Sequence, residues 1–162
     1  KYVSPRHVEV WLPEGYEAGA GKRYAVLYMH DGQMLFDART TWNKQAWDVD
    51  DVAAKLLAEN QLRELIVVGV WNGGETRHAD YFPQKPFEKL PQKDQEYVTQ
   101  KLQERGRANQ DFRPVSDRYL QFLVKELKPF IEGRYAVKTG PKNTFVAGSS
   151  MGGLISMYAL LE

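Results

Sequence analysis

The chain has 162 residues, 43% of them hydrophobic and 27% charged, which suits one folded domain with an ordinary core. A net charge of +1 gives no electrostatic basis for binding nucleic acid or an anionic membrane, and no apolar run approaches the length of a membrane span. With no cysteine, disulfides and thiolate metal sites are excluded. Residues 7–12 (His7-Val8-Glu9-Val10-Trp11-Leu12) alternate in polarity and read as a strand. Pro13-Glu14-Gly15-Tyr16 ends it, and a Gly/Ala-rich loop runs to Lys22. Tyr24-Ala25-Val26-Leu27-Tyr28-Met29 is a continuous apolar run that suits a strand covered on both faces of a parallel sheet. It leads into His30-Asp31-Gly32-Gln33. A loop with Trp42 and Trp47 follows. The spacing then predicts a helix over 48–60, with Val49, Val52, Ala53, Leu56 and Leu57 on its inner face. Residues 65–71 are the next buried strand. Strand, helix, strand with no hairpin signal predicts a right-handed parallel crossover in an α/β fold.

From residue 72 to 114 the pattern breaks down into a polar stretch, with one helix expected over 94–105. A connection this long leaves the carboxyl end of a strand, where α/β ligand sites lie. It reads either as a lid-like insertion that shapes a substrate site or as a solvated excursion. Ser116 is a candidate N-cap. Leu120, Leu123, Val124, Leu127, Phe130 and Ile131 then mark one helical face, which Pro129 should kink or end.

The last stretch carries the chemistry. Phe145-Val146-Ala147 is a β-type apolar run. Gly148-Ser149-Ser150-Met151-Gly152 fits G-x-S-x-G with Ser150 at its centre. Leu154, Ile155, Tyr158 and Leu161 recur at helical spacing behind it. Strand, sharp turn and helix in this order are the context of a nucleophile elbow, in which the serine hydroxyl stands exposed above a sheet. A serine is nearly inert at neutral pH unless a base takes its proton. In the elbow's usual chain order an acid and then a histidine follow the serine. Here His7, His30 and His78 all precede Ser150, and Glu162 is the only ionisable residue after it. Either the base and acid lie in a segment beyond Glu162, or an upstream group such as His30 or His78 is recruited.

An elbow serine also needs an oxyanion hole. One donor is the backbone N–H of the next residue, Met151, and the other comes from the loop after an earlier strand. His30-Asp31-Gly32-Gln33 lies in that place. Gly32 would allow close approach to a carbonyl, and the Gln33 N–H is the natural donor; alone, Asp31-Gly32 reads better as a simple turn, and it is the G-x-S-x-G two strands later that favours the oxyanion reading. Asp48, Asp50 and Asp51 lack calcium-loop spacing and suit a helix N-terminus. No histidine spacing suits a metal, so neither metal nor cofactor is expected. Trp42, Trp47, Trp71 and Tyr81 are core or stacking candidates. Trp42 and Tyr81 are the better ligand candidates because they fall in predicted loops, and Asp31 is a third substrate-contact candidate.

Three stretches together carry a family resemblance: Leu27-Tyr28-Met29-His30-Asp31-Gly32-Gln33-Met34-Leu35-Phe36, Glu126-Leu127-Lys128-Pro129-Phe130-Ile131 and Ala147-Gly148-Ser149-Ser150-Met151-Gly152-Gly153. The chain resembles the N-terminal part of the putative-esterase family of α/β-hydrolases, a group that includes carbohydrate feruloyl and acetyl esterases, siderophore esterases and mycolyltransferases. The resemblance implies an α/β-hydrolase fold, a mostly parallel sheet flanked by helices and interrupted after the elbow helix. It implies Ser150 as nucleophile and the Gln33 and Met151 N–H groups as oxyanion donors. Trp47-Asp48 resembles a structural Trp-Asp pair of some relatives. The implied substrate is a small ester such as an acylated saccharide, with a secreted or periplasmic setting. An acyltransferase with the same site, or a non-catalytic fragment used in binding or assembly, are the alternatives. A second chain or copy completing the open sheet edge is the expected partner.

Overall fold

Four strands form one mixed sheet in the computed structural model, which describes residues 1–19 and 21–162. They are β1 (Val8–Trp11), β2 (Ala25–His30), β3 (Leu65–Val70) and β4 (Thr144–Ala147), in the order β1-β3-β2-β4. Ala20, within the predicted Gly/Ala loop, lies outside the described residues. All six residues of β3 are buried. Ile66, Val67, Val68 and Val70 give it β-branched side chains to both faces, each contributing about 1.5–3 kcal/mol on burial. β2 pairs parallel with β3 from Ala25↔Leu65 to His30↔Val70, so the predicted crossover is parallel. β2 also pairs parallel with β4, from Val26↔Thr144 to Met29↔Ala147. β1 runs antiparallel along the other side of β3.

The chain divides into two compact units. Residues 5–72 and 127–147 form the sheet unit, with helices α1 (Val49–Ala58) and α6 (Lys128–Arg134). Its core cluster is Ala25, Leu35, Leu65 and Val67, with Trp11, Leu27, Met29, Phe36, Trp47, Val49 and Leu62 packed against it. Asp50 and Asp51 occupy the first turn of α1, as the helix dipole favours. Val52 was expected to face inward and is exposed. Ala53 is buried, Val49, Leu56 and Leu57 are half-buried beside it, and position 52 falls at the margin of that stripe. β4 was expected to be a buried strand. It lies at the sheet edge, Phe145 is 39% exposed, and the Arg63 guanidinium sits 5.6 Å from the Phe145 ring centroid.

Residues 1–4, 73–126 and 148–162 form the other unit, with helices α2 (Arg77–Tyr81), α3 (Gln84–Glu88), α4 (Gln92–Glu104), α5 (Ser116–Phe122) and α7 (Met151–Leu161). The polar segment therefore holds three helices where one was expected. It has its own aromatic packing: Phe82, Phe87 and Phe112 meet edge to face at centroid distances of 5.6, 6.0 and 6.1 Å. α2 and α3 have five residues each, too few to show a helical period. Ser116 opens α5 and does not cap it; its buried Oγ accepts the Gln84 N–H at 3.0 Å.

Pro129 does not end the helix that precedes it. A π turn, Leu123–Leu127, comes just before it, and Pro129 is the second residue of α6. The wider turn opens the ladder where the proline lacks its N–H. Leu123, Leu127 and Ile131 are buried along it, whereas Val124 and Phe130, predicted to share that face, are exposed.

Candidate active site

β4 ends at Ala147, and the chain turns through Gly148 and Ser149 to Ser150, which precedes α7. Ser150 has φ +55° and ψ −118°, a sparsely populated conformation for a residue with a Cβ. Such a residue stores about 1–3 kcal/mol and persists only where its surroundings enforce it. The enforcement is visible. A Cβ on Gly148 would lie 2.5 Å from the Gly152 carbonyl carbon and 2.6 Å from its oxygen, so the turn closes on itself through two bare backbones. The Gly152 N–H donates to the Ser149 carbonyl at 2.8 Å, and the Leu154 N–H donates to that of Ser150 at 3.0 Å. Ser150 is exposed. Met151 opens α7, so its N–H is among the first donors of the helix and has no intrahelical acceptor.

The turn after β2 is built differently. Asp31 is left-handed, φ +59°, and Gly32–Met34 form one 3₁₀ turn. Its bonds run from the Met34 N–H to the Asp31 carbonyl and from the Leu35 N–H to that of Gly32, so the Gln33 N–H lies ahead of the first bonded donor. Gly32 rests on the neighbouring strand: a Cβ there would lie 2.6 Å from the Gly69 carbonyl carbon and 2.8 Å from that of Val70. Asn72, just past β3, reaches the turn twice. Its Nδ2 donates to Asp31 Oδ1 at 2.7 Å, and its backbone N–H donates to Gln33 Oε1 at 3.2 Å. The Gln33 carbonyl accepts the Thr40 hydroxyl at 2.6 Å. β2 and β4 are parallel neighbours, so the chain leaves His30 and Ala147 at the same end of the sheet.

The remaining candidates separate. Trp42 is 84% exposed on a loop braced by the Asp37–Arg39 ion pair and by Thr41 Oγ1 donating to the Ala38 carbonyl at 2.9 Å. Arg39 holds the Asp37 carboxyl below its ordinary pKa. Tyr81 was placed in a loop and instead ends α2; it is fully buried, with its ring 5.2 Å from that of Tyr119. Asp31, expected to touch substrate, is buried, and its Oδ1 is engaged by Asn72. Trp47 packs on the sheet core, and Trp71 Nε1 donates to Glu9 Oε2 at 3.0 Å. Asn72 went unrecognised in the sequence, where it reads only as the start of a turn; its signal is its place directly after the buried strand. Among the described residues no helix is long and apolar enough to cross a membrane.

Similar proteins cover the same ground. The uncharacterized protein YbbA of Bacillus subtilis is 26% identical over 157 residues, 97% of this chain and 51% of that protein. An IroE-like serine hydrolase from Shewanella oneidensis superposes with a TM-score of 0.63 at 26% identity, over 96% of this chain and 41% of its own. A ferulic acid esterase of Anaeromyces mucronatus, solved with ferulic acid, gives 0.56 at 25% identity, over 95% and 46%. The fold is thus that of the α/β-hydrolase esterases, and the chain spans about half the length of the relatives it matches. The model of the family described as Putative esterase matches residues 3–162, and the chain belongs to that family.

Proposed function

We propose that this chain supplies the nucleophile and the oxyanion donors of a serine carboxylic-ester hydrolase. The observation that carries the reading is Ser150: an exposed serine held at φ +55° by a glycine that cannot carry a side chain. Membership of the esterase family and likeness to an IroE-like serine hydrolase and a ferulic acid esterase support it. In this reading Ser150 Oγ bonds to the ester carbonyl carbon as a base takes its proton. The carbonyl oxygen becomes an oxyanion that accepts the Met151 and Gln33 N–H groups. Collapse of the intermediate breaks the bond to the alcohol oxygen, which leaves with the proton, and water then releases the acid. In the usual order of such sites the base follows the serine in the chain, and no histidine follows Ser150 within residues 1–162. The substrate class is an acylated carbohydrate or a similar small ester, with Trp42 as an aromatic surface for it.

Fluorophosphonate labelling of the full-length protein tests this. An adduct on Ser150 that is lost in Ser150→Ala and kept in Ser149→Ala is the expected result. A protein that takes no label at Ser150 would refute the hydrolase and acyltransferase readings together and leave a binding or assembly role.

A further inference from the structure

We infer that Asn72 is a positioning residue, which orients the peptide that carries the Gln33 N–H. The inference rests on the esterase reading and extends it to a residue that has no place in the G-x-S-x-G or His-Asp-Gly-Gln motifs.

The turn that carries Gln33 is weak by itself. It begins with a left-handed Asp31, which a side chain disfavours, and continues as a single 3₁₀ turn, whose hydrogen-bond geometry is poor. The Thr40 hydroxyl holds the Gln33 carbonyl at 2.6 Å and the Trp47 N–H holds that of Met34 at 2.8 Å; two further constraints come from β3 and the residues after it. The first is the seat of Gly32 on the backbone of Gly69 and Val70. From the other side the fit is looser: a Cβ on Gly69 would lie 2.9 Å from the end of the Leu35 side chain and in ordinary contact, 3.4 Å, with Gly32 Cα. The seat sets how closely the turn approaches β3. The carbonyl of the Gly32–Gln33 peptide accepts the Leu35 N–H at 3.2 Å, a long bond beside a glycine that allows a wide range of φ and ψ.

The second constraint is Asn72, which grips the turn on both flanks of that glycine. Its side chain bonds the carboxylate before Gly32 and its backbone bonds the side chain after it. The Asp31 bond, at 2.7 Å, is a charge-assisted contact to a buried carboxylate, the kind most costly to break. Both bonds end on side chains of the residues that flank Gly32, and together they limit how far the Gly32–Gln33 peptide can shift. Asn72 lies two residues past β3, next to Trp71, whose N–H donates to the His7 carbonyl at 3.1 Å. Nδ2 of Asn72 is engaged by Asp31, and this assigns it to orientation of the donor.

The test uses the full-length protein, with p-nitrophenyl acetate as substrate, Ser150 phosphonylation as a second rate, and the thermal midpoint as the measure of folding. Asn72→Ala should lower kcat about 10- to 100-fold with KM within about twofold, the pattern of a donor displaced in the transition state. Asp31→Asn/Asn72→Asp exchanges donor and acceptor across the same gap and should recover most of the lost kcat, whereas Asn72→Asp alone, with two facing carboxylates, should not. A merely structural role would lower active enzyme in step with the folded fraction and would not respond to the exchange. If Asn72→Ala does not fold, the comparison of Asn72→Asp with the double variant decides. Wild-type kcat in Asn72→Ala, in a protein whose Ser150 does take the label, overturns the inference and leaves the esterase reading standing. A wild-type protein that takes no label overturns both.

Discussion

Gly148→Ala puts the closest fit in the elbow to the test. The added Cβ would lie 2.5 Å from the Gly152 carbonyl carbon, 2.6 Å from its oxygen and 2.8 Å from its Cα, against an ordinary contact of at least 3.4 Å. The gap must open by 3.4 − 2.5, or about 0.9 Å. The opposing atoms are backbone in the first turn of α7, so no side chain can swing aside. Overpacking of this kind costs about 1–3 kcal/mol. In a protein of this size that lowers the thermal midpoint by roughly 2–4 °C per kcal/mol. The displacement falls on the peptides that hold Ser150, and a misplacement of about 1 Å costs on the order of 100-fold in rate. Gly133→Ala is the control. Gly133 lies within α6, and its Cβ would meet nothing within 4 Å. It should raise stability by about 0.4–1 kcal/mol through loss of unfolded-chain entropy and leave the labelling rate unchanged. Thermal unfolding and fluorophosphonate labelling, run side by side, separate the two variants. A Gly148→Ala protein with wild-type midpoint and wild-type labelling would refute the argument.

Tyr28 is buried with no partner for its hydroxyl among the described residues. Tyr28→Phe should leave stability at neutral pH equal or raise it by about 1 kcal/mol. Burial first, and the charge of Glu132 second, raise the Tyr28 pKa above its ordinary 10.0. Above that pH the unfolded chain releases a proton that the folded protein keeps, so stability falls as pH rises. The variant should lose less than wild type between pH 7 and strongly alkaline solution; equal losses in urea unfolding would contradict this. Ser116→Ala would leave the Gln84 N–H without its acceptor beside a fully buried site and should cost about 1–3 kcal/mol; an unchanged midpoint would show that water replaces the hydroxyl. Trp42→Ala removes an exposed ring, so the midpoint should not move. If the ring stacks on an aromatic acyl group, KM for a feruloyl ester should rise about 2- to 10-fold with little change for an acetyl ester.

Residues that act along the chain were legible. Ser150, Gly148 and Gly152 belong to one turn whose sterics are local, so five consecutive residues disclosed it. The apolar runs of β2 and β3, with a helical stripe between them, disclosed the parallel pairing, because a strand buried on both faces has no polar alternation to show. The exceptions trace to edges and short elements. β4 reads like β2 in composition, but its place at the edge of the sheet leaves Phe145 exposed. α2 and α3 are shorter than two helical turns, so residues 72–114 looked irregular and Tyr81 was assigned to a loop.

What the sequence hides is contact between strands. Asp31 and Asn72 are 41 positions apart, and their bond exists only because β2 and β3 are parallel and end in register, His30 opposite Val70. The two glycines that abut there are not register partners, since Gly69 lies opposite Met29; Gly32 reaches Gly69 because the turn after β2 folds back over β3. Gly32 must lack a side chain for the turn to lie on the strand, though by itself it looks like an ordinary turn residue. Extended past the strand ends, the register sets residues 31–33 beside 71–73, with Asn72 at the centre. A parallel pair of strands thus sets more than the sheet: it decides which turn can be braced by which neighbour, and so how firmly a backbone N–H after β2 can be aimed.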